Sequence, residues 1–244
     1  MDNRAKLVAE IVESERAYIT KLELLQSYQQ CLLSGRMPKD VVQHIFANLD
    51  ELVDFQRRFL VGMEATLSYP VSEQRLGGLF VQNEEAFGVY EPFCSNYEFA
   101  CYTVLQERER ITELLPPPDV LGGAASLVLP SLLIAPVQRL CKYPLLLREL
   151  TALSQPDTYP HLAELRRGYD AIVHVTQRVN EVKRMEENRL ARQDLIDRIE
   201  DWCGLDANDF GELLLSDKFP MLSAGTESLY HLFLFDHILL CCAE

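Results

Sequence analysis

The sequence contains none of the short motifs that carry covalent or nucleotide chemistry. It has no G-x-x-x-x-G-K-[ST] phosphate loop, no G-x-G-x-x-G, no G-x-S-x-G and no H-E-x-x-H. The five histidines are scattered along the chain, and we interpret each as a surface or packing residue rather than as a ligand. We therefore expect no covalent catalysis, no cofactor and no metal, and a function carried by the surface of the protein.

Positive charge and paired cysteines are also scarce. The 23 lysines and arginines face 37 aspartates and glutamates, and a net charge of −14 argues against binding to nucleic acid or, through bulk charge, to anionic lipid. The seven cysteines are an odd number without C-x-x-C spacing, which argues against a disulfide framework and a structural zinc site. No signal-like segment or membrane-length apolar run is present, so we expect a cytoplasmic protein.

Helical periodicity dominates the first 200 residues. Apolar residues recur at helical spacing from Asn3 to about Leu33, which predicts a long amphipathic helix that ends at Ser34-Gly35. Prolines and glycines then divide the remainder into shorter helical stretches. The further helices are predicted at Lys39–Leu67, at Glu73–Leu115 with a break at Pro92, at Leu127–Leu153 with bends at its prolines, and at Tyr159–Asp201.

After Trp202 the pattern changes to short apolar runs separated by turn-like segments, which predicts a three-stranded meander. The strands are predicted at Glu212–Ser216, Leu229–Phe235 and Ile238–Cys242, with turns at Lys218–Ser228 and Asp236-His237. Three strands leave sheet edges unpaired, so we expect an incomplete second domain. The predicted fold is mostly α, an elongated multi-helix bundle over residues 1–202, followed by a partial all-β segment over residues 203–244.

A carboxylate interrupts the apolar face of the first helix. On a wheel at about 100° per residue, five aliphatic residues and one tyrosine fall within about 60° of Glu15. They are Val8, Ile11, Val12, Tyr18, Ile19 and Leu22. A buried carboxylate requires a partner. The partner is either an arginine of another helix, or a group on a second protein for which this face is a docking surface.

The segment Ser131–Leu150 carries a narrow mixed stripe opposite a broad apolar face. The stripe consists of Ile134, Gln138, Lys142, Leu145 and Glu149. It is either an ordinary solvated face or the centre of an interface with charged anchors. On the last long helix, Asn180 shares a face with Leu162, Tyr169 and Val173, so its amide either bonds within the core or is exposed for a partner.

Three of these segments together resemble the Dbl-homology domain, the exchange domain of guanine-nucleotide exchange factors for Rho-type GTPases. They are Glu10–Leu25 (EIVESERAYITKLELL), Leu133–Leu150 (LIAPVQRLCKYPLLLREL) and Arg178–Arg184 (RVNEVKR). The strands after Trp202 resemble the opening of the pleckstrin-homology domain that follows in tandem. Asn48–Leu60 (NLDELVDFQRRFL) and QRLCKYPLL are most similar to the fungal cell-polarity branch of the family.

The resemblance assigns roles to single residues. It implies that Glu15 engages the first switch of the GTPase, and that Gln138, Lys142, Leu145 and Asn180 contact the second switch. It places Ile134 at a position that discriminates among Rho-family members.

The partner implied is a Rho-family GTPase, of the cell-division-control type in the first place and of the Rac or Rho type otherwise, with flanking scaffold proteins as further partners. The protein would accelerate GDP release without covalent chemistry and be recruited to the cell cortex or a polarity site. A single lysine in Lys218–Ser228 implies weak or no lipid binding. Two alternatives remain: a GTPase-activating domain, for which Arg139 would supply the arginine, and a non-catalytic helical scaffold.

Overall fold

The computed structural model describes residues 3–115, 125–199, 206–223 and 226–243. The chain forms two compact units, Met1–Asn180 and Glu181–Glu244. The helices are α1 (Asn3–Ser34), α2 (Lys39–Phe46), α3 (Leu49–Leu67), α4 (Leu76–Gln82), α5 (Tyr90–Ser95), α6 (Tyr97–Gln106), α7 (Arg108–Leu114), α8 (Ala125–Leu133), α9 (Ala135–Ala152) and α10 (Leu162–Arg198). The helical bundle and the sheet that follows confirm the predicted fold class, and the predicted domain boundary after residue 202 lies outside the described residues.

The first helix has the predicted bounds, but the predicted helix Lys39–Leu67 is two helices. The break falls at Ala47, whose φ of 47° is in the left-handed region that non-glycine residues rarely adopt. The adjoining Asn48 donates its amide to the Val89 carbonyl oxygen at 2.9 Å, a contact between residues far apart in sequence. The local sequence offers neither proline nor glycine at this point, so the pattern alone indicated one continuous helix.

The stretch 73–115 is more divided than predicted. Four short α-helices and two single turns of 3₁₀-helix replace one helix with a break at Pro92. Pro92 lies in the first turn of α5, where a missing N–H costs little, and the chain breaks at Asn96 instead. In the following segment α8 and α9 meet at Ile134, with Pro136 in the first turn of α9 and Pro144 inside it.

The helix α10 lies against α4 at very close range. A Cβ atom at Gly168 would lie 2.6 Å from the carbonyl oxygen of Gly77, so no larger residue fits at this crossing without displacing backbone. The buried Glu164 strengthens the same contact, because it accepts hydrogen bonds from the Arg75 guanidinium at 3.0 Å and from the Gly78 N–H at 3.1 Å. This packing fixes the position of the helix that carries Asn180.

A buried polar network joins α1, α3, α5 and α9. The Glu15 carboxylate, with no exposed surface, accepts hydrogen bonds from Arg139 at 2.5 and 3.1 Å, from the Tyr143 hydroxyl at 3.0 Å and from the Gln56 amide. The Tyr90 hydroxyl donates to the Gln56 carbonyl at 2.7 Å. Burial, and then the nearby Glu15 charge, raises the pKa of Tyr143, so its hydroxyl stays protonated and remains a donor.

The second unit contains an antiparallel sheet in the order β1-β2-β3, with β1 at Leu213–Ser223, β2 at Thr226–Phe235 and β3 at Leu239–Ala243. One face of the sheet packs on the end of α10, in a small core made of Leu195, Phe210, Leu213, Phe233 and Phe235. The number of strands and the turn at Asp236-His237 are as predicted, but β1 and β2 extend beyond their predicted bounds.

The predicted turn Lys218–Ser228 was wrong. The strands β1 and β2 pair through most of that segment, and Lys218 lies opposite His231 in the ladder. Among the described residues, every helix is too short or too polar to cross a lipid bilayer.

The buried network predicts a large stability difference between two glutamates of α1. Replacing Glu15 with alanine leaves Arg139 buried without a counter-charge, and we expect it to lower the free energy of unfolding by about 3–5 kcal/mol in denaturant titration. The matched change at the exposed Glu13 should cost at most about 0.5 kcal/mol. A loss below about 1 kcal/mol at Glu15 would contradict the assigned role of this ion pair.

Candidate functional site

A groove runs between α1 and α9 on the surface of the first unit. It is lined from α1 by Ser14, Ala17, Tyr18 and Lys21, and from α9 by Ala135, Gln138, Arg139 and Lys142. The two helices present these residues at spacings of three and four, so each set forms one stripe along its helix. The segments Glu10–Leu25 and Leu133–Leu150, singled out in the sequence for separate reasons, are therefore neighbours in space.

The stripe predicted on α9 is exposed. Gln138, Lys142 and Glu149 face solvent, Leu145 keeps 54% of its surface accessible, and Ile134 is half-buried at the junction with α8. The opposite face of α9 packs into the core, as predicted from the wheel, through residues that include Leu140, Tyr143 and Leu147. An exposed leucine beside an amide and an ammonium group is the mixture that the centre of a protein interface can present.

The structure corrects the interpretation of Glu15 as a contact residue. Its carboxylate has no exposed surface, and Arg139, Tyr143 and Gln56 occupy its acceptor positions. Of the two alternatives for Glu15, the structure shows the internal salt bridge, and its partner is Arg139 of α9. Glu15 acts beneath the groove, because Arg139 both pairs with it and lines the groove.

The wheel did not single out Glu10, a second carboxylate of α1. It is exposed on α1 and shares a stripe with Ser14, Ala17 and Lys21, one turn before the groove residue Ser14. The wheel drew attention to Glu15 because a charge on an apolar face is conspicuous, whereas a glutamate on a polar face is ordinary. The signal that could have identified Glu10 is its helical spacing from Ser14, Ala17 and Lys21, which is present in the sequence itself.

Asn180 is exposed, which excludes the alternative that its amide bonds within the core. It is not among the residues that line the groove in the described part of the chain. Two residues earlier, Arg178 pairs with Glu91 of α5 at 2.5 Å, and α5 itself packs against α9. The asparagine therefore lies on a helix that is connected to α9 through α5.

Arg139 is unavailable as an arginine supplied to another protein. Its side chain is 4% exposed and bound to Glu15, and its guanidinium lies 4.8 Å from the centre of the Tyr143 ring. Displacing Arg139 toward another protein would leave the buried Glu15 carboxylate without its counter-charge. This geometry argues against the GTPase-activating alternative, which requires a free arginine that reaches the phosphates.

The groove also does not suit a small-molecule ligand. Its volume is about 270 Å³, slightly below the range of roughly 300–1,000 Å³ that small-molecule pockets usually have. Its exposed position and mixed lining fit a surface on which a second protein lies.

Comparison with known proteins identifies both parts of the chain. The family model of the RhoGEF domain matches residues 7–180, and that of the pleckstrin homology domain matches residues 208–244. The first match covers all of the groove, the exposed stripe of α9 and Asn180.

Two curated relatives and one solved structure are similar over nearly the full chain. The Rho guanine nucleotide exchange factor scd1 of Schizosaccharomyces pombe is 43% identical over 243 residues, covering 98% of this chain and 27% of that protein. Cell division control protein 24 of Saccharomyces cerevisiae is 33% identical over 248 residues, covering 98% of this chain and 28% of that protein. The apo structure of an activated truncation of Vav1 superimposes with a TM-score of 0.77 at 26% identity, covering 99% of this chain and 62% of that one.

The chain thus spans little more than a quarter of the length of these two curated relatives. The match over residues 7–180 covers most of the helical region described above and contains every residue of the candidate surface. The chain belongs to the RhoGEF domain family, with the beginning of a pleckstrin homology domain after it.

Proposed function

We propose that this chain is a guanine-nucleotide exchange factor that binds the switch segments of a Rho-family GTPase and accelerates GDP release. The observation that carries the proposal is the exposed stripe of Gln138, Lys142 and Leu145 on α9, beside the groove that α1 borders. Family membership supports the proposal, and so does the similarity to scd1, which is described as a Rho guanine nucleotide exchange factor.

The surface would act by binding one conformation of the switch segments in preference to another. A small GTPase retains GDP through its phosphate loop and magnesium ion while both switches close over the site. Lys142 offers a cation, Gln138 and Asn180 offer amides and Leu145 offers an apolar anchor, so together they would hold the second switch where it disturbs metal and phosphate binding. The coupling is reciprocal: the factor by which the bound domain lowers the affinity of the GTPase for GDP equals the factor by which bound GDP lowers its affinity for the domain.

The carboxylate for the first switch is assigned to Glu10 in this proposal. A side chain that contacts a partner must be exposed, and Glu10 is exposed on the groove stripe whereas Glu15 is sealed. Glu15 is a positioning residue, since its ion pair with Arg139 holds α1 against α9. Ile134, half-buried at the start of the α9 stripe, remains the candidate for selectivity among Rho-family members.

The GTPase is proposed to be of the cell-division-control type, with Rac and Rho as alternatives. The support is the similarity to scd1 and to cell division control protein 24, and the same likeness suggests a role in cell polarity with recruitment to the cell cortex. The non-catalytic scaffold is the competing function, and a direct assay of nucleotide exchange separates the two.

The proposed function predicts faster release of GDP without faster hydrolysis of GTP. In a panel of purified Rho-family GTPases loaded with fluorescent GDP, catalytic amounts of the chain should raise the release rate of at least one member by about 10-fold or more. The hydrolysis rate of GTP should stay unchanged, because Arg139 is not free to reach the phosphates. Accelerated hydrolysis without accelerated release would support the GTPase-activating alternative instead.

The exposed stripe predicts a loss of exchange without a loss of folding. Replacing Lys142 or Asn180 with alanine should lower the exchange rate by about 10–100-fold, the usual effect of removing a central interface anchor. The free energy of unfolding should change by at most about 0.5 kcal/mol, because both side chains are exposed. The matched control is alanine at Arg148, an exposed cation about 80° round α9 from Gln138, which should exchange at the wild-type rate.

Substitutions of Glu10 and Glu13, two exposed glutamates of α1, should differ in their effect on the exchange rate. Replacing Glu10 with glutamine removes one charge while keeping its shape, and we expect a roughly 10-fold slower exchange with unchanged stability. Glu13→Gln, about 60° away on the same helix, is the control and should have no effect on either measurement. Wild-type exchange by the Glu10 variant would remove this residue from the interface.

A further inference from the structure

We propose that Lys21 is a specificity-determining residue that acts with Lys142 to recognise an acidic side chain of the bound GTPase segment. The proposal rests on the proposed function, because it requires that a GTPase lies over the groove between α1 and α9. It concerns a residue to which neither the α9 stripe nor the resemblance of Glu10–Leu25 assigned a role.

The charge of the groove is carried by two lysines. Its lining contains three charged side chains, Lys21, Arg139 and Lys142, and all three are cations. The charge of Arg139 is matched from below by Glu15, whose carboxylate it contacts at 2.5 Å. Lys21 on α1 and Lys142 on α9 therefore set the net charge of the groove, which is positive in a chain whose formal net charge is −14.

Neither lysine is neutralised within the described part of the chain. Both are exposed, and neither forms an ion pair with any residue that the structure describes. Two other exposed cations of the same bundle are paired: Arg16 of α1 contacts Glu64 at 2.6 Å, and Arg57 of α3 contacts Glu23 at 2.9 Å. The acidic composition supplies many possible partners, so two unpaired lysines across one groove leave a local positive potential that an anion would satisfy.

The remaining lining indicates that the anion belongs to a protein. Ala17, Ala135 and Tyr18 provide apolar surface between the lysines, and the Gln138 amide can donate to or accept from a backbone. A mixture of apolar floor, one amide and flanking charges is the composition of an interface centre with a polar rim. We therefore assign the groove to an aspartate or glutamate within a peptide segment.

Opposite ends of the surface carry opposite charges. Glu10 lies about 16 Å along α1 from Lys21, at a rise of about 1.5 Å per residue. The α1 stripe thus carries a carboxylate at one end and an ammonium group at the other, and a GTPase segment that carries a cation and an anion at matching separation would bind along it in one direction only. Charge complementarity of this kind selects partners and speeds their association.

The test compares charge changes at Lys21 and at a distant lysine. In the GDP-release assay at about 50 mM salt, Lys21→Glu should lower the second-order rate constant by about 10-fold and Lys21→Ala by about 2–5-fold, as for one interface charge pair. At about 500 mM salt both effects should shrink, because exposed charges are screened. Lys39→Glu, the same charge change on α2, should stay within about 2-fold, since Lys39 follows the end of α1, which lies about 20 Å along that helix from Lys21.

Charge reversal on the GTPase identifies the partner group. Each aspartate and glutamate of its two switch segments is changed to lysine in turn, and one of these variants should restore exchange with Lys21→Glu while slowing exchange with the unchanged chain. Unfolding in denaturant should show that Lys21→Glu is as stable as the unchanged chain.

The outcomes distinguish this proposal from the proposed function. Wild-type exchange by Lys21→Glu together with impaired exchange by Lys142→Ala would overturn the role of Lys21 and leave the proposed function standing. A loss at Lys21 that no GTPase variant restores, or that is equal at both salt concentrations, would also overturn it. An unchanged chain that binds none of the nucleotide-free Rho-family GTPases would overturn both.

Discussion

The buried ion pair between Glu15 and Arg139 is the interaction on which the rest of the surface depends. It joins α1 to α9 inside the bundle, and Tyr143 and Gln56 complete the hydrogen bonding of the carboxylate. Such a pair contributes little net stability compared with apolar packing, but a break in it is costly, because either charge alone would be buried. It therefore specifies one relative arrangement of the two helices that border the groove.

The same arrangement explains the electrostatics of the surface. Because Glu15 is directed inward, Arg139 is neutralised beneath the groove and does not project from it. Lys21 and Lys142 are the exposed charges among the residues that line the groove, and Glu10 lies one turn beyond it on α1. An acidic protein thus presents a local basic site, and this contrast makes recognition by charge possible at moderate salt.

The proposed catalysis requires a rigid surface rather than a reactive group. A domain shifts the conformational equilibrium of its partner only if it binds one conformation more tightly than the other. The binding surface must therefore keep its own shape when the partner binds. Two features provide stiffness: the close crossing of α4 and α10 at Gly77 and Gly168, and the hydrogen-bonded Glu164 beside it. Both lie within the core of the bundle and leave the side chains of the candidate surface free to bind.

The amino-acid sequence by itself determined the fold class, the long first helix, the three strands and the exposed stripe of α9, because each follows from local periodicity. The contacts that decide the rest join distant residues. Asn48 donates a hydrogen bond to Val89 next to the point where α2 ends, although the local pattern predicts one continuous helix there. The pairing of β1 with β2 places most of the predicted turn Lys218–Ser228 in strands. The wheel likewise identified Glu15 as anomalous, but only the tertiary structure showed that its partner is Arg139 within the same chain, whereas Glu10 is exposed on the same helix. A helical wheel gives the direction of a side chain from its own axis, whereas the choice between core and partner depends on which other helix lies there.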